Sequence, residues 1–310
     1  MRKRFAIPLI AVVGAVPWFW FHPGIPPAEQ PARFVSSLDF PGEADWVGGI
    51  SGIDLTPDGK SFFLVTDRGH MARGRLVRAS GILTEVVIES VREFTDKAGK
   101  VREFPHTDAE GIALDSDGQL FVSFEHAQRV LQYDQFESQE AKWPSYTTAW
   151  RALESNGGLE AVAVDSDGTI YTLPEAIASG ATEALVYRKK RFAGWEQPFT
   201  LPVESAFKPV GADFGPDGLF YLLERAVYPF GFYSRVRRMS LTETGPSDLE
   251  TVLVTPLHRH GNLEGLSVWQ DQNGAIRLTM VSDDNFIPFF RGEIVEYRIT
   301  DGVAQTDQGQ

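Results

Sequence analysis

The chain has 310 residues, which suits one or two domains and is enough for a sizeable core. Apolar residues make up 43% and aromatic residues 12% of the chain, so a folded protein is expected rather than a disordered one. The net charge of −13 argues against nucleic-acid binding, which needs a basic surface. Because there is no cysteine, the sequence excludes disulfide bonds, thiolate metal sites, a cysteine nucleophile and a lipoprotein anchor.

The N-terminal segment is typical of a targeting or anchoring sequence. A basic start at residues 2–4 is followed by an uncharged stretch over residues 5–21. This pattern predicts a signal peptide or a short membrane anchor over residues 1–21, so we expect export to the periplasm or a tether to the inner membrane facing the periplasm. Residues 22–31 contain four prolines and predict a linker.

Five similar segments recur along the rest of the chain at spacings of 50 to 59 residues. They start at Ser51, Glu110, Glu160, Gly211 and Glu264. Each is followed by an Asp-Gly or Asn-Gly turn and then by a second apolar segment, which together predict a β-hairpin. Repeats of about fifty residues, each with four strands, are typical of β-propeller blades.

The sequence therefore predicts an all-β protein with one β-propeller over residues 32–302 and a C-terminal tail over 303–310. Five blades of four strands are expected, with fourth strands at 85–88 and 250–254 as examples. The last repeat ends soon after its third strand, so a strand at 33–40 is expected to complete that blade and close the ring. Six blades are the alternative, because residues 91–107 leave room for a degenerate one.

Acidic residues recur where the first strand of each repeat begins and where the second ends. These two points are neighbours in an antiparallel hairpin, so all of these side chains are expected at one mouth of the central channel. The predicted metal ligands are Asp67, Glu110, Glu125, Glu160, Glu224, Glu264 and Asp283. Clustered carboxylates require protonation, pairing with arginine or a bound cation. Oxygen ligands favour Ca²⁺, and Mg²⁺, Mn²⁺ and Zn²⁺ remain open. A structural alternative is that the acids bind backbone N–H groups of the next blade, or that Glu224 pairs with Arg225.

Five of the six histidines are predicted at the same mouth, together with Arg68, Arg225 and Asn285. The histidines are His70, His106, His126, His258 and His260. We expect His106 or His126 to act as general acid or base, because imidazole titrates near neutral pH. We expect Arg68 and Arg225 to hold phosphate oxygens.

Several runs together resemble the phytase-like family, described as "esterase-like activity of phytase". They are residues 108–113, 158–163, 222–225, 262–266 and 282–286, and the resemblance extends over about residues 33–300. It implies an exported bacterial β-propeller with hydrolase or phosphoesterase activity. Two departures, Asp284 in the last run and Ala161 after Glu160, remove no acid. Ser51 and Gly211 stand where other repeats have glutamate, which favours an off-centre site over a symmetric one.

Three functions are compatible with these patterns. The first is an exported, metal-dependent esterase that acts on phosphate esters, with a small-molecule substrate and a monomeric protein. The second is a lactonase or carboxylesterase with the same architecture. The third is a non-catalytic binding module, because a propeller fold does not fix a function.

Overall fold

The computed structural model describes residues 30–40, 46, 48–95, 100–101, 103, 106–142, 146–154, 156–177, 180–204, 206–229, 231–284 and 292–300. The predicted signal or anchor segment, the predicted tail and most of the linker lie outside the described residues. In the described part of the chain, no helix has the length and apolar character needed to cross a membrane.

The described residues form nineteen strands arranged as five sheets, and one short 3-10 helix at Thr148–Ala152. Blade 1 contains β2 (Ile50–Leu55), β3 (Ser61–Thr66), β4 (His70–Ala79) and β5 (Ile82–Glu93). Blade 2 contains β6 (Ala109–Leu114), β7 (Leu120–Phe124) and β8 (Arg129–Tyr133). Blade 3 contains β9 (Leu159–Val164), β10 (Ile170–Pro174), β11 (Glu183–Lys189) and β12 (Glu196–Pro202).

Blade 4 contains β13 (Lys208–Phe214), β14 (Phe220–Tyr228), β15 (Gly231–Thr242) and β16 (Gly245–Val254). Blade 5 contains β17 (Asn262–Gln270), β18 (Ile276–Asp283), β19 (Glu293–Ile299) and β1 (Ala32–Asp39). Strand β1 pairs antiparallel with β19, with Ala32 opposite Ile299 and Asp39 opposite Glu293. The prediction that an N-terminal strand completes the last blade and closes the ring is therefore confirmed, and so is the five-bladed propeller.

Blade 2 differs from the predicted four strands in the part of the chain that is described. Its sheet has three strands, and a single bridge between Gln132 and Lys142 stands where a fourth strand would pair. The segment after β8 turns instead into the 3-10 helix, where Trp150 is buried between blades 2 and 3. Residues 91–107, which were considered as a degenerate sixth blade, form no additional sheet in the part of this segment that the structure describes.

Each pair of neighbouring blades shares one hydrophobic cluster, so five clusters hold the ring together. The first strands of the blades are buried over almost their whole length because they pack between two neighbouring blades. At the interface of blades 5 and 1, for example, Trp269 lies in the same cluster as Phe62 and Leu64. Each such buried side chain contributes about 1.5–3 kcal/mol.

The hairpin turns between first and second strands all lie at the end of the channel away from the acidic residues. Gly118 and Gly168 have φ values of 82° and 76°, which glycine adopts without strain. Asp115 accepts hydrogen bonds from the N–H groups of Asp117 and Gln119, and Asp165 makes the equivalent contacts. The Asp-Ser-Asp-Gly runs are therefore turns.

Candidate functional site

A β-bulge interrupts the first strand of every blade at the same register position. The five register shifts fall at residues 50–52, 109–111, 159–161, 209–211 and 263–265. Bulges redirect a side chain locally, and here they direct one residue per blade into the channel. The end of the channel at which the first strands begin is called the mouth below.

Three sets of equivalent positions surround the mouth. The residues just before the first strands, or at their first position, are Gly49, Asp108, Gly158, Lys208 and Asn262. The bulge residues are Ser51, Glu110, Glu160, Val210 and Glu264. The residues at or just after the second-strand ends are Asp67, Glu125, Glu175, Arg225 and Asp283. The acidic residues expected at one mouth are thus gathered there, with one exception in blade 4.

That exception is Glu224, which was predicted as a metal ligand and does not reach the mouth. It is fully buried and its two oxygens are held by Arg235 and Arg237 at 2.7–3.3 Å. The register of β13 and β14 places Arg225, not Glu224, at the position that carries an acid in the other four blades. A shift of one residue reverses the face of a strand, so the prediction for Glu224 is wrong, and its partner is not Arg225 either.

The glycine after the bulge in four of the five blades allows neighbouring first strands to approach closely around the channel. A Cβ atom added at Gly211 would lie 2.4 Å from the carbonyl oxygen of Glu264 in the next blade. A Cβ atom at Gly111 would lie 2.5 Å from the carbonyl oxygen of Glu160. The recurring Glu-Gly pair therefore combines a channel carboxylate with a point of backbone contact. Beneath the bulges the channel narrows to a cavity of about 10 Å³, the space of about one water molecule.

The closest group of metal-ligating side chains consists of Asp108, Glu125 and His126, whose ligand atoms all lie within 4.8 Å of one another. His126 Nδ1 is 2.6 Å from Asp108 Oδ2 and 3.4 Å from Glu125 Oε2. The other oxygen of Glu125 accepts hydrogen bonds from the N–H groups of Gly157 and, at 2.9 Å, Gly158. These backbone contacts fix the carboxylate and leave Oε2 directed towards the imidazole.

Burial raises the pKa of Asp108, while the neighbouring His126 lowers it. Burial also raises the pKa of Glu125. The N–H groups of Gly157 and Gly158 favour its ionised form and therefore lower the pKa, but by less. Both carboxylates are therefore difficult to ionise without additional positive charge. His126 itself has a φ of 54°, a conformation that is uncommon outside glycine and asparagine.

The bulge glutamates form the innermost part of the mouth. Burial, followed by the charge of Glu160, raises the pKa of Glu110 well above its ordinary value. Burial and then Glu175 do the same to Glu160. The side chain of Glu160 is 93% buried, and its carboxylate makes no hydrogen bond to any part of the chain that the structure describes. The charge of Arg225 offsets part of this effect, but a carboxylate buried without a hydrogen bond is costly, and a bound cation would reduce that cost.

Arg225 is a buried cation of the mouth, and both of its terminal nitrogens donate hydrogen bonds to neighbours. It donates to Glu264, to Asn262 Oδ1 at 2.6 Å and to Glu175 Oε1 at 2.5 Å. Burial lowers the pKa of Arg225, but the charges of Glu264 and Glu175 raise it by more. Burial raises the pKa of Glu264 to about 8, although Arg225 opposes this. Arg225 was predicted to hold a phosphate group, and in the structure its guanidinium contacts the carboxylates of Glu175 and Glu264.

Asp67 and Arg68 occupy the rim of the mouth in blade 1. Asp67 Oδ1 is buried and accepts no hydrogen bond from any described residue, and Arg68 Nε lies 3.7 Å from it. Burial and then the charge of Asp283 raise the pKa of Asp67 to about 7, while Arg68 lowers it. The Arg68 side chain is 58% exposed, so it remains accessible to a ligand.

The family of the chain follows from its sequence as a whole. The family model described as "Phytase-like: Esterase-like activity of phytase" matches residues 45–286. The chain belongs to this phytase-like family. The match extends from just before β2 to just after β18, so it covers every acidic position of the mouth described above.

Solved structures with a similar fold lie far from this phytase-like chain in sequence. A virginiamycin B lyase from Staphylococcus aureus is 13% identical over 86% of this chain and 73% of its own, with a TM-score of 0.41. A luciferin-regenerating enzyme is 10% identical over 82% and 92%, with a TM-score of 0.45. A calcium-binding regucalcin from Agrobacterium tumefaciens is 10% identical over 81% and 91%, with a TM-score of 0.40. No curated protein sequence matches the chain.

The predicted histidines of this phytase-like protein separate into different environments. His126 lies in the metal-ligating group, whereas His106 and His258 are exposed and His70 is half-buried. His260 is buried away from the mouth, with Nδ1 3.2 Å from Glu293 and Nε2 2.7 Å from the Tyr297 hydroxyl. Asn285 lies outside the described residues.

Sequence reasoning missed Asp108, Lys208 and Asn262 as mouth residues. Asp108 directly precedes Ala109 and Glu110 in one of the runs that carry the family resemblance. These positions are equivalent from blade to blade, so an alignment of the repeats extended by two residues towards the N-terminus would have included Asp108 and Asn262. Lys208 Nζ lies 3.4 Å from Glu175, and its side chain is 41% exposed.

Proposed function

We propose that this protein is a divalent-cation-dependent ester hydrolase that works at the mouth, with phosphate esters of low charge as substrates. One observation carries the proposal. Asp108, Glu125 and His126 converge within 4.8 Å, near the buried carboxylate of Glu160, in a protein of an esterase-like family. Clustered ionisable groups with perturbed pKa values in a concave site are pointers to function.

The residues present fit a divalent cation. Asp108 Oδ2, Glu125 Oε2 and His126 Nδ1 would hold it, and Glu110 stands next to Asp108. Oxygen donors predominate at the mouth, so Ca²⁺ is proposed first, while the imidazole makes Mn²⁺ and Zn²⁺ the alternatives. A bound ion would supply Lewis-acid activation of the ester and of the attacking water.

The remaining roles belong to side chains of the rim. Asp67 is assigned as general base, because its Oδ1 accepts no hydrogen bond from the described residues and its pKa near 7 suits proton abstraction at neutral pH. Arg68, exposed beside it, is assigned to an anionic oxygen of the substrate. Arg225 keeps Glu175 and Glu264 in place and does not contact the substrate.

Electrostatics restricts the charge of the substrate. Nine carboxylates of the described residues surround the mouth: Asp67, Asp108, Glu110, Glu125, Glu160, Glu175, Glu264, Asp283 and Asp284. A polyanion would be repelled even with one cation bound, so a phosphodiester with a single charge is favoured over a phosphomonoester. Arg225 is already bound to Glu175 and Glu264 and so does not offer its charge to a substrate. This favours a second candidate substrate, an uncharged carboxylic ester or lactone, over any highly charged one.

Export to the periplasm as a monomer, free or tethered through residues 5–21, is part of the same proposal. Its export and tether are supported by the basic start and uncharged stretch of the N-terminal sequence.

The experiment compares hydrolysis before and after chelation. Full-length protein, purified in detergent, would be assayed with bis-p-nitrophenyl phosphate, p-nitrophenyl phosphate and p-nitrophenyl acetate, then treated with a chelator and resupplied with Ca²⁺, Mn²⁺ or Zn²⁺. We expect chelation to abolish turnover and Asp108→Asn to lower kcat/KM at least about 100-fold. Asp117→Asn, in an exposed turn at the opposite end of the channel, is the matched control. Turnover that resists chelation and survives Asp108→Asn would overturn the proposal.

A further inference from the structure

The rim of the mouth extends further out along the channel axis on blade 4 than on blades 1 to 3. Strands β3, β7 and β10 end at Thr66, Phe124 and Pro174, which are equivalent in register to Glu224. Strand β14 continues four residues further, to Tyr228, and pairs with β15 up to the Tyr228–Gly231 pair. The hairpin therefore extends beyond the mouth as a two-stranded projection.

The two faces of this projection differ in what they contact. Ala226 is fully buried and Tyr228 packs beside it, in a small cluster with Phe207, Tyr233 and Leu257. Side chains alternate along a strand, so Val227 lies on the opposite face, the face of Arg225. Val227 is 64% exposed, one of the most exposed large apolar side chains in the described structure.

A second apolar side chain shares the face of Val227. Phe232 lies directly opposite Val227 in the β14–β15 ladder, and residues directly opposite each other project to the same side of a sheet. Phe232 is half-buried. Ser234, opposite Arg225, is the next residue of β15 on this face, and Lys208 of β13 lies opposite Arg225 on its other side.

The projection is supported from behind. The His258 ring lies so close to Gly231 that a Cβ atom there would be 2.7 Å from Nδ1. The rings of Tyr228 and Tyr233 pack edge to face with centroids 5.3 Å apart. The hairpin thus rests on the loop that leads into blade 5, and the face of Val227 and Phe232 is held in a fixed position beside the mouth.

We propose that Val227 and Phe232 form an apolar wall that binds the alkyl or aryl group of the substrate, which is therefore an amphiphilic ester. The proposal rests on the proposed function and specifies its substrate class. Val227 lies two residues beyond Arg225, or about 7 Å along the strand, so the apolar wall continues outward from the blade 4 side of the mouth. Two side chains are too few for a stable protein interface, which buries roughly 800 Å² per partner, and their continuity with the mouth favours a small ligand.

The wall has a measurable consequence for chain length. Burying a methylene group completely contributes a binding free energy that corresponds to about a fourfold change in affinity. A methylene group covered on one side only contributes about half of that free energy. Each added methylene that contacts the wall is therefore expected to lower KM about twofold, with kcat little changed.

The test uses cation-loaded full-length protein and p-nitrophenyl acetate, butyrate and hexanoate. Val227→Thr preserves the branched shape and the strand preference while placing a hydroxyl on the wall. We expect the chain-length gain in KM to fall to near zero in this variant and to persist in Ile82→Thr, a control at a 51% exposed apolar position on the outer strand of blade 1.

A second measurement does not depend on turnover. Ethyl-, butyl- and hexylphosphonate are not hydrolysed, and their binding would be followed by calorimetry. Affinity that rises with chain length in the wild type and not in Val227→Thr supports the wall, even if no ester is turned over, in which case the proposed hydrolysis alone is contradicted. Turnover or phosphonate binding that is independent of chain length overturns the wall and leaves the proposed hydrolysis in place.

Discussion

Arg225 occupies, in blade 4, the register position that holds a carboxylate in the four other blades. Its guanidinium joins Glu175 of blade 3 to Glu264 of blade 5, so it spans the mouth across its own blade. Removing one member of a buried ion pair leaves an uncompensated charge, which costs more than the pair itself contributes.

We expect Arg225→Met to lower the free energy of unfolding by about 3–5 kcal/mol in chelator at neutral pH. Adding Glu264→Gln to Arg225→Met should recover part of this loss, because the pair is coupled. Urea denaturation measures both. Arg68→Met, at a 58% exposed position of the same mouth, is the control and should change stability by less than about 0.5 kcal/mol. Equal effects of the two arginine changes would contradict the assignment of Arg225.

A second group of buried acids lies on the first strands, deeper in the channel than the mouth. Asp54 accepts hydrogen bonds from the N–H of Leu114, in blade 2, at 2.6 Å and from the Ser267 hydroxyl at 2.7 Å. Asp213 accepts from the N–H of Val268 in blade 5 at 2.6 Å. These acids bind backbone N–H groups of neighbouring blades, the structural role that the sequence left open for the acids of the mouth.

The pH dependence of stability should reflect Asp54. Burial, opposed by its hydrogen bonds, raises the pKa of Asp54 from 3.8 to about 6. The folded state then binds more protons than the unfolded state between these values, so its stability falls as the pH rises from about 4 to about 7. We expect the wild type to lose on the order of 2 kcal/mol more than Asp54→Asn over this range in urea denaturation. Asp117→Asn should follow the wild type, and parallel curves for wild type and Asp54→Asn would refute the assignment.

At the scale of elements, the recurring unit is a first strand with a bulge followed by a glycine. The bulge directs a glutamate into the channel in blades 2, 3 and 5, and the glycine after it brings the next blade within contact distance in blades 1, 2, 4 and 5. Blade 3 uses Ala161 instead, so the contact is not identical at every interface.

Gly211→Ala tests this unit. The new Cβ atom would lie 2.4 Å from the carbonyl oxygen of Glu264, a backbone atom that cannot rotate away, so the strands must separate. We expect a loss of about 2–4 kcal/mol in unfolding free energy. Gly194→Ala is the control, because nothing lies within 4 Å of its Cβ position. A loss below about 1 kcal/mol at Gly211 would show that the close approach is not required.

Much of the element-level organisation could be predicted from sequence because each blade repeats the same hairpin signals. The closing strand, the fourth strands of blades 1 and 4, and the common mouth follow from those signals and from the antiparallel hairpin. Glu224 could not be placed, because Arg225 follows it directly in the sequence. Only the strand register decides which of these two side chains points towards the mouth. The buried position of His260 could not be predicted either, because its contacts, Glu293 and Tyr297, lie on a strand more than thirty residues away in the sequence.

At the scale of the whole molecule, closure of the ring stabilises the fold, whereas repulsion among the carboxylates that it brings together opposes it. Hydrophobic clusters at all five interfaces hold the blades around a channel, and this geometry brings nine carboxylates of the described residues to one mouth. The chain already carries a net charge of −13. Arg225 neutralises part of this local charge, and the pKa of Glu160, which stays well above its ordinary value, indicates where more positive charge is needed.

The most direct test of this account is calorimetric titration of chelator-treated full-length protein with Ca²⁺, Mn²⁺ and Zn²⁺ at pH 7.5. We predict saturable binding of at least one of these ions, weakened about tenfold or more in Glu160→Gln and in Asp108→Asn and unchanged in Asp117→Asn. If the folded wild type binds none of the three ions, or if Glu160→Gln and Asp108→Asn bind as the wild type does, the mouth is not a cation site and the proposed cation-dependent hydrolysis is wrong.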